Sequence, residues 1–206
     1  MHSVELHDAT DQPVSDVGYV KIDQFTQRTP TELQKYLSGI QGKNYKGLIV
    51  DLRNDPGGVV DSVVAVAGAF VGHDPALIVQ GKDGSEQTVR PNINAVVGQM
   101  PLAVLVNHNS ASAAEILSGA LRDDRHAKIF GEPTFGKGTE NIFVPLKTDP
   151  GGISITVGRW LTPSHVSIEG TGLKPDIPVT AADNEDPNGQ FNAVLYRAIS
   201  FLQTGS

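Results

Sequence analysis

The stretch Leu102-Ala-Val-Leu-Val-Asn107-His-Asn-Ser110-Ala-Ser112-Ala-Ala-Glu-Ile-Leu-Ser-Gly-Ala-Leu121, followed by Lys128-Ile-Phe130, decides the fold. Leu102 to Val106 is an unbroken apolar run, the mark of a strand covered on both faces. The small and apolar residues from Ala113 to Leu121 read as a helix. A second apolar run after it makes the unit a βαβ crossover. The same order stands upstream. There the apolar run Lys46-Gly-Leu-Ile-Val-Asp-Leu52 is followed by the glycine turn Asn54-Asp-Pro-Gly-Gly58, the apolar helix Val59 to Phe70 and a strand at Ala76 to Gln80. This alternation predicts the α/β class, with helices packed on a mixed, mostly parallel sheet.

Outward from these units, Gly18 to Phe25 alternates as a half-buried strand does. Thr29-Pro-Thr-Glu32 reads as a helix start, with Thr29 as N-cap, Pro30 in the first turn and Glu32 closing a capping box for a helix to Ile40. Lys82-Asp-Gly-Ser85 is a hairpin turn. From Asn141 the texture changes to a hairpin, Ile142 to Leu146 and Ile153 to Trp160 around Asp149-Pro-Gly-Gly152. A Pro/Gly-rich segment and a terminal helix, Asn192 to Gln203, complete the chain. The expected organisation is a ragged, polar lead-in over 1–17, one core over 18–180, and a tail with the terminal helix over 181–206.

The chain has 206 residues, against roughly 150 for an average domain, so one large core with appendages is expected. A net charge of −7 gives no electrostatic reason to expect nucleic acid. Cysteine is absent, which removes disulfides, thiolate metal sites and cysteine nucleophiles together. No apolar run reaches the roughly eighteen residues of a membrane span, and the polar Met1 to Asp16 does not resemble a signal peptide. No paired His, Asp or Glu spacing suggests a metal site, and no cofactor is expected.

Ser110 and Ser112 both stand where a strand hands over to a helix, a place where backbone amide donors collect. A serine hydroxyl is a weak nucleophile and needs a base. The tetrahedral intermediate of acyl transfer also needs preorganised donors for its oxyanion. The Ala113 amide, next after Ser112, can be one donor. Asp55-Pro-Gly57-Gly58, beyond the carboxyl end of a buried strand, can supply another. Thr134-Phe-Gly-Lys137-Gly138 offers the base, provided that burial by Phe135 and the glycines lowers the lysine pKa from about 10.4 to around 7 or 8.

The ordered set Asn107 to Ile116, Thr134 to Gly138, Gly47 to Gly58, Leu161-Thr-Pro-Ser164 and Gly170-Thr-Gly-Leu-Lys-Pro-Asp176 resembles the carboxyl-terminal processing peptidases, or tail-specific proteases, over roughly Gly18 to Val179. The resemblance implies a crotonase/ClpP-like ββα core. It makes Ser112 the nucleophile and Lys137, twenty-five positions later, the general base. It selects Ser112 over Ser110 by spacing, and gives the oxyanion to the amides of Ala113 and of Gly58, with Gly57 in reserve. The amide position that assists the lysine falls on Asn141, one methylene shorter than the family's glutamine. Asp123, eleven residues after Ser112, matches an acidic position of some members but reads better as a solvated helix end beside Asp124 and Arg125.

The implied activity is a serine endopeptidase cutting proteins near apolar carboxyl-terminal tails through an acyl-enzyme, outside the cytoplasm. The family's PDZ domain, which captures tails as an added strand, does not fit before Gly18, so a catalytic-core fragment is expected, with a variant that recognises tails without that module as the alternative. The oligomeric state is open, a homo-oligomer included. Two other readings share the site residues: a non-catalytic binding module on the same fold, and a small-ester hydrolase. A Ser-His-Asp triad is disfavoured, because His108 lies four residues before Ser112 at the strand's edge and His73, His126 and His165 lack acidic partners at suggestive spacing.

Overall fold

The computed structural model describes residues 1–147, 150–179 and 192–205. In chain order its elements are β1 (Leu6–His7), β2 (Pro13–Val14), β3 (Val17–Lys21), α1 (Thr29–Ile40), β4 (Gly47–Asp51), α2 (Val60–Val71), β5 (Leu77–Gly81), β6 (Glu86–Val89), β7 (Leu102–Val106), α3 (Ala113–Arg125), β8 (Lys128–Gly131), β9 (Thr139–Pro145), β10 (Gly152–Leu161), β11 (Ile177–Pro178) and α4 (Ala193–Thr204). Five strands form a parallel sheet in the order β11-β8-β7-β4-β3, in which every pairing is parallel.

Side-chain alternation divides that sheet between two cores. Leu48, Val50, Val104 and Val106 point into the larger one with Leu33 and Leu37 of α1, Val66 and Phe70 of α2, and Ile116 and Leu117 of α3. Ile49, Tyr19, Ala103 and Leu105 point the other way, onto Val194, Ala198, Ile199 and Leu202 of α4. Both faces are therefore covered, which is why β4 and β7 are apolar at successive positions and buried throughout. Each fully buried Leu, Ile or Val contributes on the order of 1.5–3 kcal/mol, so the central strands are the firmest part of the molecule.

A second, antiparallel sheet has the order β6-β5-β10-β9. The hairpins β5–β6 and β9–β10, read separately in the sequence, are joined by pairing of β10 with β5 from Leu161↔Ile78 to Gly158↔Gly81. Part of the β9–β10 turn, Thr148 and Asp149, lies outside the described residues, as do 180–191 of the expected tail.

Two local expectations change. Helix α1 starts at Thr29, with Arg28 in the cap position and no side-chain cap bond. The Thr29 hydroxyl instead accepts from the Thr26 amide at 3.0 Å and donates to the Gln24 carbonyl at 3.1 Å. It is buried under the preceding loop and braces that loop. The lead-in is not ragged either: β1 and β2 pair antiparallel, Leu6 joins the α4 core, and His2 bridges to Lys21.

Candidate active site

The carboxyl ends of β4 and β7 bring the glycine turn and the serine turn together. Asp51, at the end of β4, is fully buried and receives Arg53 Nη2 at 2.6 Å, Arg53 Nε at 3.0 Å and the Tyr19 hydroxyl at 2.8 Å. Burial acts to raise its carboxyl, but the Arg53 guanidinium and the nearby Lys21 outweigh it and hold Asp51 below the usual value. Arg53 Nη1 reaches Asn192 Oδ1 at 2.7 Å, and the same Asn192 oxygen caps α4 through the Leu195 amide. The strand end is thereby fastened to the α4 side of the sheet.

Beyond it the chain reverses at Gly57 and Gly58, with φ of +97° and +147°. These values favour glycine. A methyl group on Gly57 would sit 2.7 Å from the Ala111 oxygen, 2.8 Å from Ser112 Cβ and 2.9 Å from the Ala113 nitrogen. No other residue lets the two turns touch. Asp55 Oδ1 accepts from the Gly57 amide at 2.8 Å, and the Asp55 carbonyl accepts from the Ala111 amide at 2.9 Å. Asp55 is fully buried, and burial pushes its carboxyl up to about 7.

The two serines of the serine turn have different environments. Ser110 is fully buried, and its hydroxyl donates to the Leu52 carbonyl at 2.8 Å while accepting from the Asn107 amide at 3.0 Å. It ties β7 to β4. Ser112 is half-buried and opens α3 at φ 56°, ψ −113°. Such a conformation costs a non-glycine residue on the order of 1–3 kcal/mol and persists only where its surroundings enforce it.

Glu115 enforces it. One turn into α3 and fully buried, its Oε2 accepts from the Ser112 amide at 2.8 Å and the Lys137 amide at 2.9 Å. Its Oε1 accepts from the Gly136 amide at 2.7 Å and the Thr134 hydroxyl at 2.5 Å. One carboxylate thus holds the serine turn and the lysine loop at a common point. The Glu115 side chain bonding back to the N-cap amide is half of a capping box, and Ser112-Ala-Ala-Glu115 carries that signature in the sequence. From sequence alone Glu115 has no assigned role.

The lysine loop is pinned along its length. The Thr134 amide donates to the Leu173 carbonyl, the Phe135 amide to the Ser110 carbonyl, and the Gly138 amide to Glu169 Oε2 at 2.6 Å. The Gly136 and Gly138 carbonyls accept from the Gly170 and Trp160 amides. The side chain of Lys137 is exposed, and among the described residues its ammonium makes no hydrogen bond or ion pair. The expected burial by Phe135 does not occur, because Phe135 is itself 66% exposed and its neighbouring glycines add no side chains.

Among the described residues the amides of Gly58 and Ala113 have no acceptor, whereas that of Gly57 is taken by Asp55. Asn141 lies on β9 opposite Thr156, and its Oδ1 accepts from the Thr156 hydroxyl at 2.7 Å rather than meeting Lys137. Asp123 is no solvated helix end: Oδ2 receives the Ser164 amide at 2.9 Å and hydroxyl at 2.7 Å, tying α3 to Thr162-Pro-Ser164. His108 pairs with Glu132 at 3.1 Å, and His165, for which no acidic partner was expected, pairs with Glu86 at 3.0 Å. Neither touches Ser112. Among the described residues no three metal-ligating side chains gather, and no helix is long and apolar enough to cross a membrane.

The sequence matches the description Peptidase family S41 over residues 16–179. It is 37% identical over 169 residues to a carboxy-terminal-processing protease of Bartonella bacilliformis, covering 80% of this chain and 39% of that one. It is 35% identical over 165 residues to a carboxyl-terminal-processing protease of Synechocystis, covering 80% and 38%. Among solved structures, a photosystem II D1 C-terminal processing protease superposes with a TM-score of 0.72 at 33% identity, over 84% of this chain and 44% of the other. The tricorn protease, at 19% identity and a TM-score of 0.59 over 91% of this chain and 18% of its own, shares the fold. The chain spans about two-fifths of the length of these curated relatives. With a parallel sheet whose strand ends hold a strained serine, a glycine turn and a pinned lysine loop, and with residues 16–179 matched, the chain belongs to peptidase family S41.

Proposed function

We propose that this chain acts as a serine endopeptidase through Ser112 and Lys137, cleaving proteins near apolar carboxyl-terminal tails, outside the cytoplasm. The observation that carries the reading is the Glu115 carboxylate, which holds the amides of both residues on one oxygen atom. Ser112 Oγ attacks the scissile carbonyl carbon while Lys137 Nζ takes its proton. The oxyanion is received by the amides of Ala113 and Gly58. The C–N bond then breaks, the lysine proton passes to the leaving amine, and an ester to Ser112 remains. Water, deprotonated by Lys137 Nζ, attacks the ester carbon; the bond to Ser112 Oγ breaks, the proton returns from Nζ to Oγ, and the new carboxyl terminus is released.

The reaction requires the lysine as the free amine, a form favoured once bound substrate excludes water from the exposed Lys137. Asn141 ties the start of β9 to β10 through Thr156, and so supports the strand that leaves the lysine loop. The test is turnover of a peptide with an apolar carboxyl-terminal tail. Ser112→Ala and Lys137→Ala should each lower kcat/KM at least roughly a thousandfold with unchanged far-UV circular dichroism. Full activity in either variant would remove the assignment. Cleavage of esters with no cleavage of peptides would replace it by the small-ester reading.

A further inference from the structure

Asp55 is a buried acid that the proposed reaction does not use. It lies within the turn from which the Gly58 amide would serve the oxyanion. Its backbone is locked on both sides, the amide donating to the Leu52 carbonyl at 3.2 Å and the carbonyl accepting from Ala111 at 2.9 Å. Its Oδ1 is committed to the Gly57 amide. Its Oδ2 is buried and has no hydrogen-bond partner among the described residues. A neutral acid tolerates such a place far better than a carboxylate, since an unpaired buried charge costs more than an unpaired buried dipole.

The charged groups acting on Asp55 do not compensate it. Asp23 adds like charge, while Lys21 and the Met1 amino group oppose it more weakly than burial. Lys21 is occupied by the Arg53 carbonyl at 2.8 Å, and Met1 by Asp23 and Glu32 at 3.7 Å. On the serine turn the titratable His108 is directed to Glu132.

We propose that Asp55 is a positioning residue that tunes the oxyanion turn: as the neutral acid it holds the Gly57 amide and leaves Gly58 and Ala113 free to receive negative charge, and as the carboxylate it opposes that charge from beneath. Both forms keep the Oδ1 acceptor, so the turn stays in place and only its electrostatics change. Activity then falls on the alkaline side for a reason unrelated to Lys137, whose deprotonation acts in the opposite direction. The inference rests on the serine–lysine reading for its catalytic consequence, though not for its placement of Asp55.

The test compares the pH dependence of kcat/KM for the wild-type chain and Asp55→Asn, which keeps an oxygen for Gly57 and cannot ionise. The ratio of variant to wild type should rise roughly tenfold or more between pH 6 and pH 9, the size expected of a close unit charge in a partly buried site. Parallel profiles would overturn the proposal. Aspartate carboxyl-carbon NMR of the wild-type chain supplies an arm independent of turnover and of whether the variant folds. The Asp55 resonance should titrate above pH 6, and the Gly57 amide should shift with it. An Asp55 carboxyl already ionised at pH 5, or a Gly57 amide indifferent to its titration, would equally overturn it. If Ser112→Ala cleaves like the wild type, the serine–lysine reading fails, while the Gly57 titration still decides the place of Asp55.

Discussion

At the scale of single residues, Glu115 concentrates more of the site than either proposed reacting side chain. Its two oxygens satisfy four donors, one at Ser112 and three between Thr134 and Lys137, in a place without solvent. A carboxylate is acceptor-only and suits four donors; an amide does not. In either orientation the NH2 of Glu115→Gln would face at least one backbone N–H. The substitution should cost about 2–4 kcal/mol by leaving buried donors unpaired, and kcat should fall at least tenfold as the serine turn and lysine loop lose their common anchor. Urea denaturation and peptide turnover measure the two effects, and wild-type stability in Glu115→Gln would contradict the role given to it. The residue type and its spacing from Ser112 were visible in the sequence as a capping pair. That the same carboxylate would also hold Gly136 and Lys137 was not, since those contacts join residues about twenty positions apart.

At the scale of elements, the β9–β10 hairpin departs from the rule that apolar side chains are covered. Ile142, Phe143, Val144, Leu146, Ile153 and Ile155 are all at least 40% exposed, with Phe143 at 67%. An exposed apolar edge of this kind favours association. Phe143→Ser with Ile155→Thr should reduce light scattering at high protein concentration and leave the thermal midpoint within about 2 °C, because surface changes away from packed contacts stay within about 0.5 kcal/mol. A large drop in the midpoint would mean that the hairpin packs on the body of the protein. Alternation and turn residues announced the hairpin. They did not announce its pairing with β5, a contact between strands about eighty residues apart.

At the scale of the whole molecule, stability should follow the balance of its carboxyls. Asp51 and Asp123 sit below their ordinary value: burial opposes ionisation in both, and Arg53 with Lys21 in one and Thr162, Ser164 and Arg122 in the other outweigh it. These groups stabilise the fold above their unfolded value of 3.8 and lose that contribution as the pH falls through their folded values. Asp55 and Asp124 act with the opposite sign. Burial, with Asp74 and Asp123 nearby in the case of Asp124, raises them to about 7 and about 6, so the folded state binds more protons than the unfolded one between the unfolded value of 3.8 and those folded values. The thermal midpoint should therefore decline between pH 5 and pH 8 as well as below pH 4, and Asp55→Asn should flatten the upper decline. Differential scanning calorimetry across that range checks it, and an unchanged slope in Asp55→Asn would remove Asp55 from the account. The sequence by itself determined the α/β class, the central βαβ order, the terminal helix and the presence of a serine turn, a glycine turn and a lysine loop, because hydrophobic period, helix starts and glycine turns are local properties of the chain, and the family resemblance implied that the three act together. Only the tertiary structure decided that Ser110 is a buried strut while Ser112 is half-exposed, that Asp55 takes the Gly57 amide and leaves that of Gly58, and that Lys137 stands in the open beside an exposed Phe135. Each of these depends on which atoms distant in sequence reach a given donor or exclude water from it, and no local pattern carries that information.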